Sequence, residues 1–238
     1  MREIISNKKM MVWDNVLDDK QFGKLLTEFS GKSFKRQHNT NWEKVWRPSD
    51  GEVLRESSSM YSVNFPNGTA LSDLHDIMMA ECCAHPEICG VKDVDWEHIV
   101  LTMYIYPAGT RLSWHGDGVE YTSAFTFYCH PRWSPHWGGE LLVASTPPSD
   151  IMPKVDYEVS PAIDHSQLDA FLNAYGVGQM IIPKPNRLVL MRSGTCHMVN
   201  RVDQTAGDNL RMSVVGFTPA KRKEKNVSVG QEVIRLAA

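Results

Sequence analysis

The sequence predicts a mostly-β fold with flanking helices (α+β), centred on a sandwich, barrel or jelly roll. Three observations carry that expectation. Five short segments rich in β-branched and aromatic residues lie between 98 and 217. Proline and glycine turns punctuate them, as in Pro107-Ala108-Gly109 and Gly138-Gly139. Helical periodicity is confined to the part before residue 84 and to one long insertion. At roughly 150 residues per domain, 238 residues make one domain with an extension.

In chain order, Phe22, Leu25, Leu26 and Phe29 recur at i, i+3, i+4, i+7, which predicts a helix over 18–30 capped by Asp18 or Asp19. Residues 31–69, polar and rich in Ser, Asn and Trp, read as loops and short strands. Leu71, Leu74, Ile77, Met78 and Cys82 share one side of a second helix, about 72–83, which His85-Pro86 ends because a residue before proline avoids the α region. The strand segments are 98–106, 121–129, 140–144, 187–192 and 210–217. Residues 1–95 are thus expected as a helical and loop extension packed on a 96–218 core, with 219–238 as a tail. The 145–180 insertion, with a short helix over 166–175, is long enough to be a lid.

Composition narrows the function. Hydrophobic residues make up 42% and charged residues 22% of the chain, which excludes disordered, collagen-like and coiled-coil classes. Asp and Glu (28) outnumber Lys and Arg (25), so a broad basic face for nucleic acid is not expected. No apolar run reaches the ~18 residues of a membrane helix, and the N-terminus shows no secretory signal. Five cysteines, an odd and sparse set, do not form a disulfide framework. The expectation is a soluble, cytoplasmic, reduced protein without nucleic-acid or membrane partners.

The chemistry concentrates in His115-Gly116-Asp117, in His197, and in Arg211 fourteen residues beyond it. Two imidazoles and one carboxylate suit a ferrous ion, and three ligands on one face leave positions open for a chelating cosubstrate and dioxygen. In an extended segment residues i and i+2 point the same way, so His115 and Asp117 reach one metal together. Arg211 offers the planar, two-pronged donor that a carboxylate favours.

These residues, with Tyr106-Pro107-Ala108-Gly109, Thr126-Phe127-Tyr128, Gly138-Gly139-Glu140-Leu141, Arg187-Leu188-Val189-Leu190-Met191, His197-Met198-Val199 and Arg211-Met212-Ser213, resemble the Fe(II)/2-oxoglutarate-dependent oxygenases, in particular their prolyl-4-hydroxylase-like branch. The resemblance spans about 98–218. It implies a double-stranded β-helix (jelly roll, cupin-like) core, with iron on His115, Asp117 and His197. It implies 2-oxoglutarate with its distal carboxylate on Arg211, near Tyr106, Tyr128 and Ser213. It implies oxidation of a substrate C–H bond by dioxygen, coupled to release of succinate and carbon dioxide. A carboxylate at Asp117, where related halogenases have Ala or Gly, implies hydroxylation, desaturation or ring closure. The step from His197 to Arg211 is longer than in prolyl hydroxylases, which an extended hairpin through 203–208 would absorb.

Competing readings accompany several residues. The loop 130–137 is either ordered by Trp133 and Trp137 or a substrate entrance using Arg132 or His136. Trp114 either walls the pocket or, by strand alternation, faces away. Cys82, Cys83, His85 and Cys89 fit a helix end better than a zinc site, and 221–225 reads as a solvated tail. The substrate is expected to be a small molecule such as an amino acid, a sugar-like compound or a natural-product intermediate, with Arg132, Arg192 or Arg201 as partners for an anionic group. The alternatives are a peptidyl (prolyl-type) hydroxylase and a non-catalytic jelly-roll binding protein.

Overall fold

The computed structural model describes residues 1–37, 50–57, 68–118, 120–145 and 177–221. The helix expected over 166–175, most of the 145–180 insertion and the basic run beyond Lys221 lie outside the described residues.

Twelve strands and three α-helices follow in order among the described residues: β1 (Arg2–Ser6), β2 (Met10–Asp14), α1 (Asp19–Ser30), β3 (Phe34–Arg36), β4 (Leu54–Glu56), α2 (Ala70–Ala84), α3 (Pro86–Cys89), β5 (Val100–Tyr106), β6 (Leu112–His115), β7 (Tyr121–Tyr128), β8 (Leu141–Ala144), β9 (Gly178–Ile181), β10 (Arg187–Arg192), β11 (His197–Val199) and β12 (Arg211–Pro219). They form a major sheet of order β1-β2-β10-β7-β12-β5-β4-β3 and a minor sheet of order β6-β11-β8-β9. All pairings are antiparallel. Four central strands of the major sheet (β10, β7, β12, β5) facing the four of the minor sheet make the jelly-roll core.

Side-chain alternation sorts the major sheet into two faces. Leu101, Met103, Phe127, Leu188, Leu190 and Val214 join the apolar stripes of α1 and α2 in one core. Tyr106, Tyr128, Val189 and Met191 pack with Leu112, Leu141, Val143 and Val199 of the minor sheet in the other. The helices thus cover one side of the major sheet and leave the opposite side to the site.

Asp18 caps α1: its carboxylate accepts from the Gln21 N–H at 2.7 Å, and Gln21 accepts in return from the Asp18 N–H. Thr69 caps α2, whose first N–H groups, on Ala70 and Leu71, also donate to the Glu28 carboxylate of α1.

The N-terminal part differs from expectation. The short strands expected within 31–69 are β3 and β4, but the part before α1 also supplies β1 and β2, so the N-terminal part lengthens the major sheet at both edges. Asn7 sets the β1–β2 turn by accepting from the Lys9 and Met10 N–H groups. Both faces of β2 are covered, so Met10-Met11-Val12-Trp13 shows no alternation to betray a strand.

Asp14 fastens β2 to the chain around β10. It is buried and accepts from Arg187 Nε and Lys184 Nζ, both at 2.7 Å. Burial pushes its pKa up, but the hydrogen bonds and charges of Arg187 and Lys184 outweigh this and hold it below the ordinary value. A lowered folded-state pKa gives stability that is present above about pH 4 and is lost as pH falls through the lowered value. Asp14→Asn is expected to cost roughly 2 kcal/mol at pH 7, a value below that of a fully enclosed pair because Lys184 is partly exposed. Urea unfolding should show the gap to wild type closing toward pH 3; a gap independent of pH would refute the charge-based account.

Candidate active site and metal centre

The site lies in a cavity of about 300 Å³ between the two sheets. β6 delivers His115 and β11 delivers His197 as directly paired residues, so the two imidazoles stand side by side with centroids 4.3 Å apart. Asp117 follows just beyond the end of β6, and its Oδ2 lies 3.9 Å from His197 Nε2. The potential ligand atoms of His115, Asp117 and His197 all lie within 4.8 Å of one another, and among the described residues no other such group occurs. Cys82, Cys83, His85 and Cys89 lie at the end of α2 and in α3, with Cys82 and Cys89 buried and Cys83 exposed.

Both imidazoles are set for a metal. His115 Nδ1 donates to the Ser113 carbonyl at 2.7 Å, and His197 Nδ1 donates to the Thr195 carbonyl at 2.8 Å. With the proton held on Nδ1, each Nε2 keeps its lone pair for the cavity. Burial, with the neighbouring His197, pushes the His115 pKa down to about 3, so this ring is neutral at physiological pH. Burial pushes the Asp117 pKa up, with His197 opposing it. A buried carboxylate gains most from a cation brought beside it.

Arg211 enters from the opposite sheet. It is 1% exposed, and its Nε donates to the Gly139 carbonyl at 2.8 Å. Its guanidinium sits between two aromatic rings, 4.9 Å from the Tyr106 centroid and 5.1 Å from that of Tyr128. The register places Arg211 opposite Tyr106, and Ser213 opposite Tyr128. Arg211 Nη2, Tyr128 Oη and Ser213 Oγ are buried without hydrogen-bond partners. Buried polar atoms are rarely left so, and three together around one cation are what a carboxylate would satisfy. Gly139 makes room for this arrangement: its φ is +71°, and a Cβ there would lie 2.8 Å from Arg211 Cδ.

His115, Asp117, His197, Arg211, Tyr106 and Ser213 all line the cavity, and Tyr128 adjoins it through Arg211. Trp114 is not among the lining residues, in keeping with strand alternation. The entrance reading of 130–137 is corrected. His130 is buried with Nε2 2.6 Å from the Pro183 carbonyl, Trp133 donates to the Gly138 carbonyl, and Trp133 and Trp137 pack edge to face. Arg132, Arg192 and Arg201 are exposed and line no part of the cavity. The step from His197 to Arg211 contains a 3-10 turn at Gln204–Ala206 capped by Asp203, rather than an extended hairpin. Sequence reasoning missed Arg55 and Gln37, which do line the cavity. β4 is three residues long, too short for any periodicity to show its inward face.

The family model described as "2OG-Fe(II) oxygenase superfamily" matches residues 101–218, a span containing both histidines, Asp117 and Arg211. No curated protein sequence matches. Among solved structures, a Pseudomonas putida prolyl-4-hydroxylase aligns at TM-score 0.57 and 15% identity, covering 90% of this chain and 93% of that one. A Trichoplax adhaerens prolyl hydroxylase, solved with a hypoxia inducible factor peptide fragment, aligns at TM-score 0.60 and 13% identity over 90% and 84%. HygX from Streptomyces hygroscopicus, solved with nickel, 2-oxoglutarate and hygromycin B, aligns at TM-score 0.56 and 10% identity over 89% and 83%. At these identities the likeness is one of fold. The family match, together with a His-Asp-His triad converging in the cavity, places the chain in the 2OG-Fe(II) oxygenase superfamily, as an oxidoreductase that uses Fe(II) and 2-oxoglutarate.

Proposed function

We propose that the protein oxidises a C–H bond of a small molecule, most simply by hydroxylation, with His115, Asp117 and His197 as the iron ligands and Arg211, Tyr106, Tyr128 and Ser213 as the 2-oxoglutarate site. The observation that carries the small-molecule reading is the cavity itself. Its volume of about 300 Å³ sits at the lower end of small-molecule sites, roughly 300–1,000 Å³. HygX, of the same fold, was solved with hygromycin B and 2-oxoglutarate bound, so this architecture accommodates such ligands. The five free thiols agree with a reducing, cytoplasmic setting.

The residues divide the work. Bound Fe(II) and 2-oxoglutarate supply, with dioxygen, the oxidising power, and succinate and carbon dioxide leave. The two histidines are oriented with Nε2 toward the metal position because their Nδ1 atoms are engaged by the backbone. Arg211 would hold the distal carboxylate, with the Tyr128 and Ser213 hydroxyls as further donors, since all three have buried polar atoms left unsatisfied. Aromatic and aliphatic walls, among them Tyr104, Phe125, Leu141 and Val215, keep water from the reacting centre. Succinate release tests the reading, using a panel of amino acids, sugar acids and polyketide-like compounds beside a panel of proline-containing peptides. Small molecules are expected to stimulate turnover at least about tenfold over the uncoupled rate, a change of ~1.4 kcal/mol in barrier. Stimulation by peptides alone would make the protein a peptidyl hydroxylase instead.

A further inference from the structure

The cavity holds a second cation that neither the metal nor the cosubstrate uses. Arg55 of β4 pairs with Tyr104 of β5, Tyr104 with Ser213 of β12, and Ser213 with Tyr128 of β7. Residues directly opposite in antiparallel strands project from the same face. This row therefore runs from the proposed 2-oxoglutarate pocket to Arg55, which lines the cavity with Gln37 beside it. Arg55 Nε is buried and has no hydrogen-bond partner.

Among the described residues no carboxylate pairs with it. Lys35 of β3 lies directly opposite Arg55, a like charge in a position where like charges repel. Among the described residues neither forms an ion pair: Glu56 is engaged by Lys32 at 3.6 Å, and Glu52 by Arg36 at 2.8 Å. Among the described residues Asp117 is the sole carboxylate lining the cavity, and it belongs to the metal triad. In the loaded site the ferrous ion, Arg211 and Arg55 bring four positive charges, whereas Asp117 and 2-oxoglutarate bring three negative ones. The unbalanced charge sits at Arg55.

Resting on the reading above, we propose that the Arg55 end of the cavity is an anion-binding subsite, and that the substrate is a small molecule whose carboxylate or phosphate group seats there. A planar guanidinium donates two parallel hydrogen bonds to either oxyanion. Anchoring one end of the substrate on Arg55 would hold the rest of it toward the metal. Lys35, exposed and directly opposite Arg55, adds attraction during entry.

Matched probes test this in protein loaded with Mn(II), a redox-silent stand-in for iron, and 2-oxoglutarate. The pairs are 3-phenylpropanoate with 3-phenylpropanamide, and phenyl phosphate with phenol. Affinity is read by titration, and location by Mn(II)-enhanced relaxation of the probe protons. The expected result is that at least one charged probe binds about tenfold or more tighter than its neutral partner, close enough to the metal to be relaxed. Arg55→Gln should erase that preference and Arg55→Lys should keep part of it. Whichever charged probe wins separates a carboxylate from a phosphate substrate. Charged and neutral probes binding alike, no probe binding at millimolar concentration, or a preference that survives Arg55→Gln would overturn the proposal. A parallel loss of 2-oxoglutarate affinity in Arg55→Gln would also overturn it, by making Arg55 part of the cosubstrate site. Failure of 2-oxoglutarate to bind the wild-type protein would be a different result, removing the cosubstrate reading and this subsite with it.

Discussion

Asp117→Ala is expected to abolish substrate oxidation and to weaken metal binding by about a hundredfold or more, while leaving the metal-free protein at least as stable as wild type. The two halves of that expectation come from one fact. The Asp117 side chain is 8% exposed, and although Arg211 and Arg55 line the same cavity, among the described residues neither they nor any lysine forms an ion pair with it. Without a cation its ionised form loses hydration and gains little, so burial pushes its pKa up. Removing the carboxylate then relieves a cost instead of breaking a bond. Its favourable partner is the metal, which both histidines already face with free Nε2 atoms. A metal at a hundred times its dissociation constant stabilises a protein by about 2.7 kcal/mol. Wild type should therefore gain thermal stability on adding Mn(II), and Asp117→Ala should gain almost none at the same concentration. Equal metal-induced shifts in the two proteins would remove Asp117 from the ligand set. A sharp loss of metal-free stability would make it a structural residue instead.

The triad was legible in the sequence because metal chemistry is demanding about residue type. Few sequences put His-x-Asp at a strand end and a second His at a later one, and the structure pairs those two histidines directly across β6 and β11. The central strands were legible for a different reason. β7, β10 and β12 are rich in Val, Leu, Phe and Tyr, and β10 occupies the expected 187–192. The minor sheet was harder. β6, β9 and β11 are three or four residues long, too short to alternate visibly. β2 was hidden by burial on both faces, and β4 by brevity, and with β4 went Arg55. The loop 130–137 shows the limit of composition: its aromatic and basic residues suit an entrance and a packed corner equally, and hydrogen bonds from the His130 and Trp133 side chains to the Pro183 and Gly138 carbonyls decide for the corner. What sequence patterns report is periodicity and chemical type. Which of several arginines meets a cavity depends on register between strands far apart in the chain.

Arg211→Met is expected to lower 2-oxoglutarate affinity by about a hundredfold or more, roughly 3 kcal/mol, without weakening metal binding. Arg211 is fully buried, and no carboxylate among the described residues neutralises it. Its charge is met by the Gly139 carbonyl and two tyrosine faces, which leave Nη2 unsatisfied. A buried cation in that condition weakens the fold, and an apolar residue of similar length is often neutral or stabilising in its place. Retaining arginine here makes physical sense where a dianion arrives to complete the pair, a case of stability exchanged for function. Arg211→Met should then melt at or above the wild-type temperature in the absence of 2-oxoglutarate and lose the wild-type rise in its presence. Arg211→Lys is an informative intermediate. It keeps the charge but lacks the two-pronged donor and the flat face that stacks between Tyr106 and Tyr128, so it should recover only part of the lost affinity. If both variants bound 2-oxoglutarate as wild type does, the distal carboxylate would have to be held by the other cavity cation, Arg55, and the roles assigned to the two arginines would exchange.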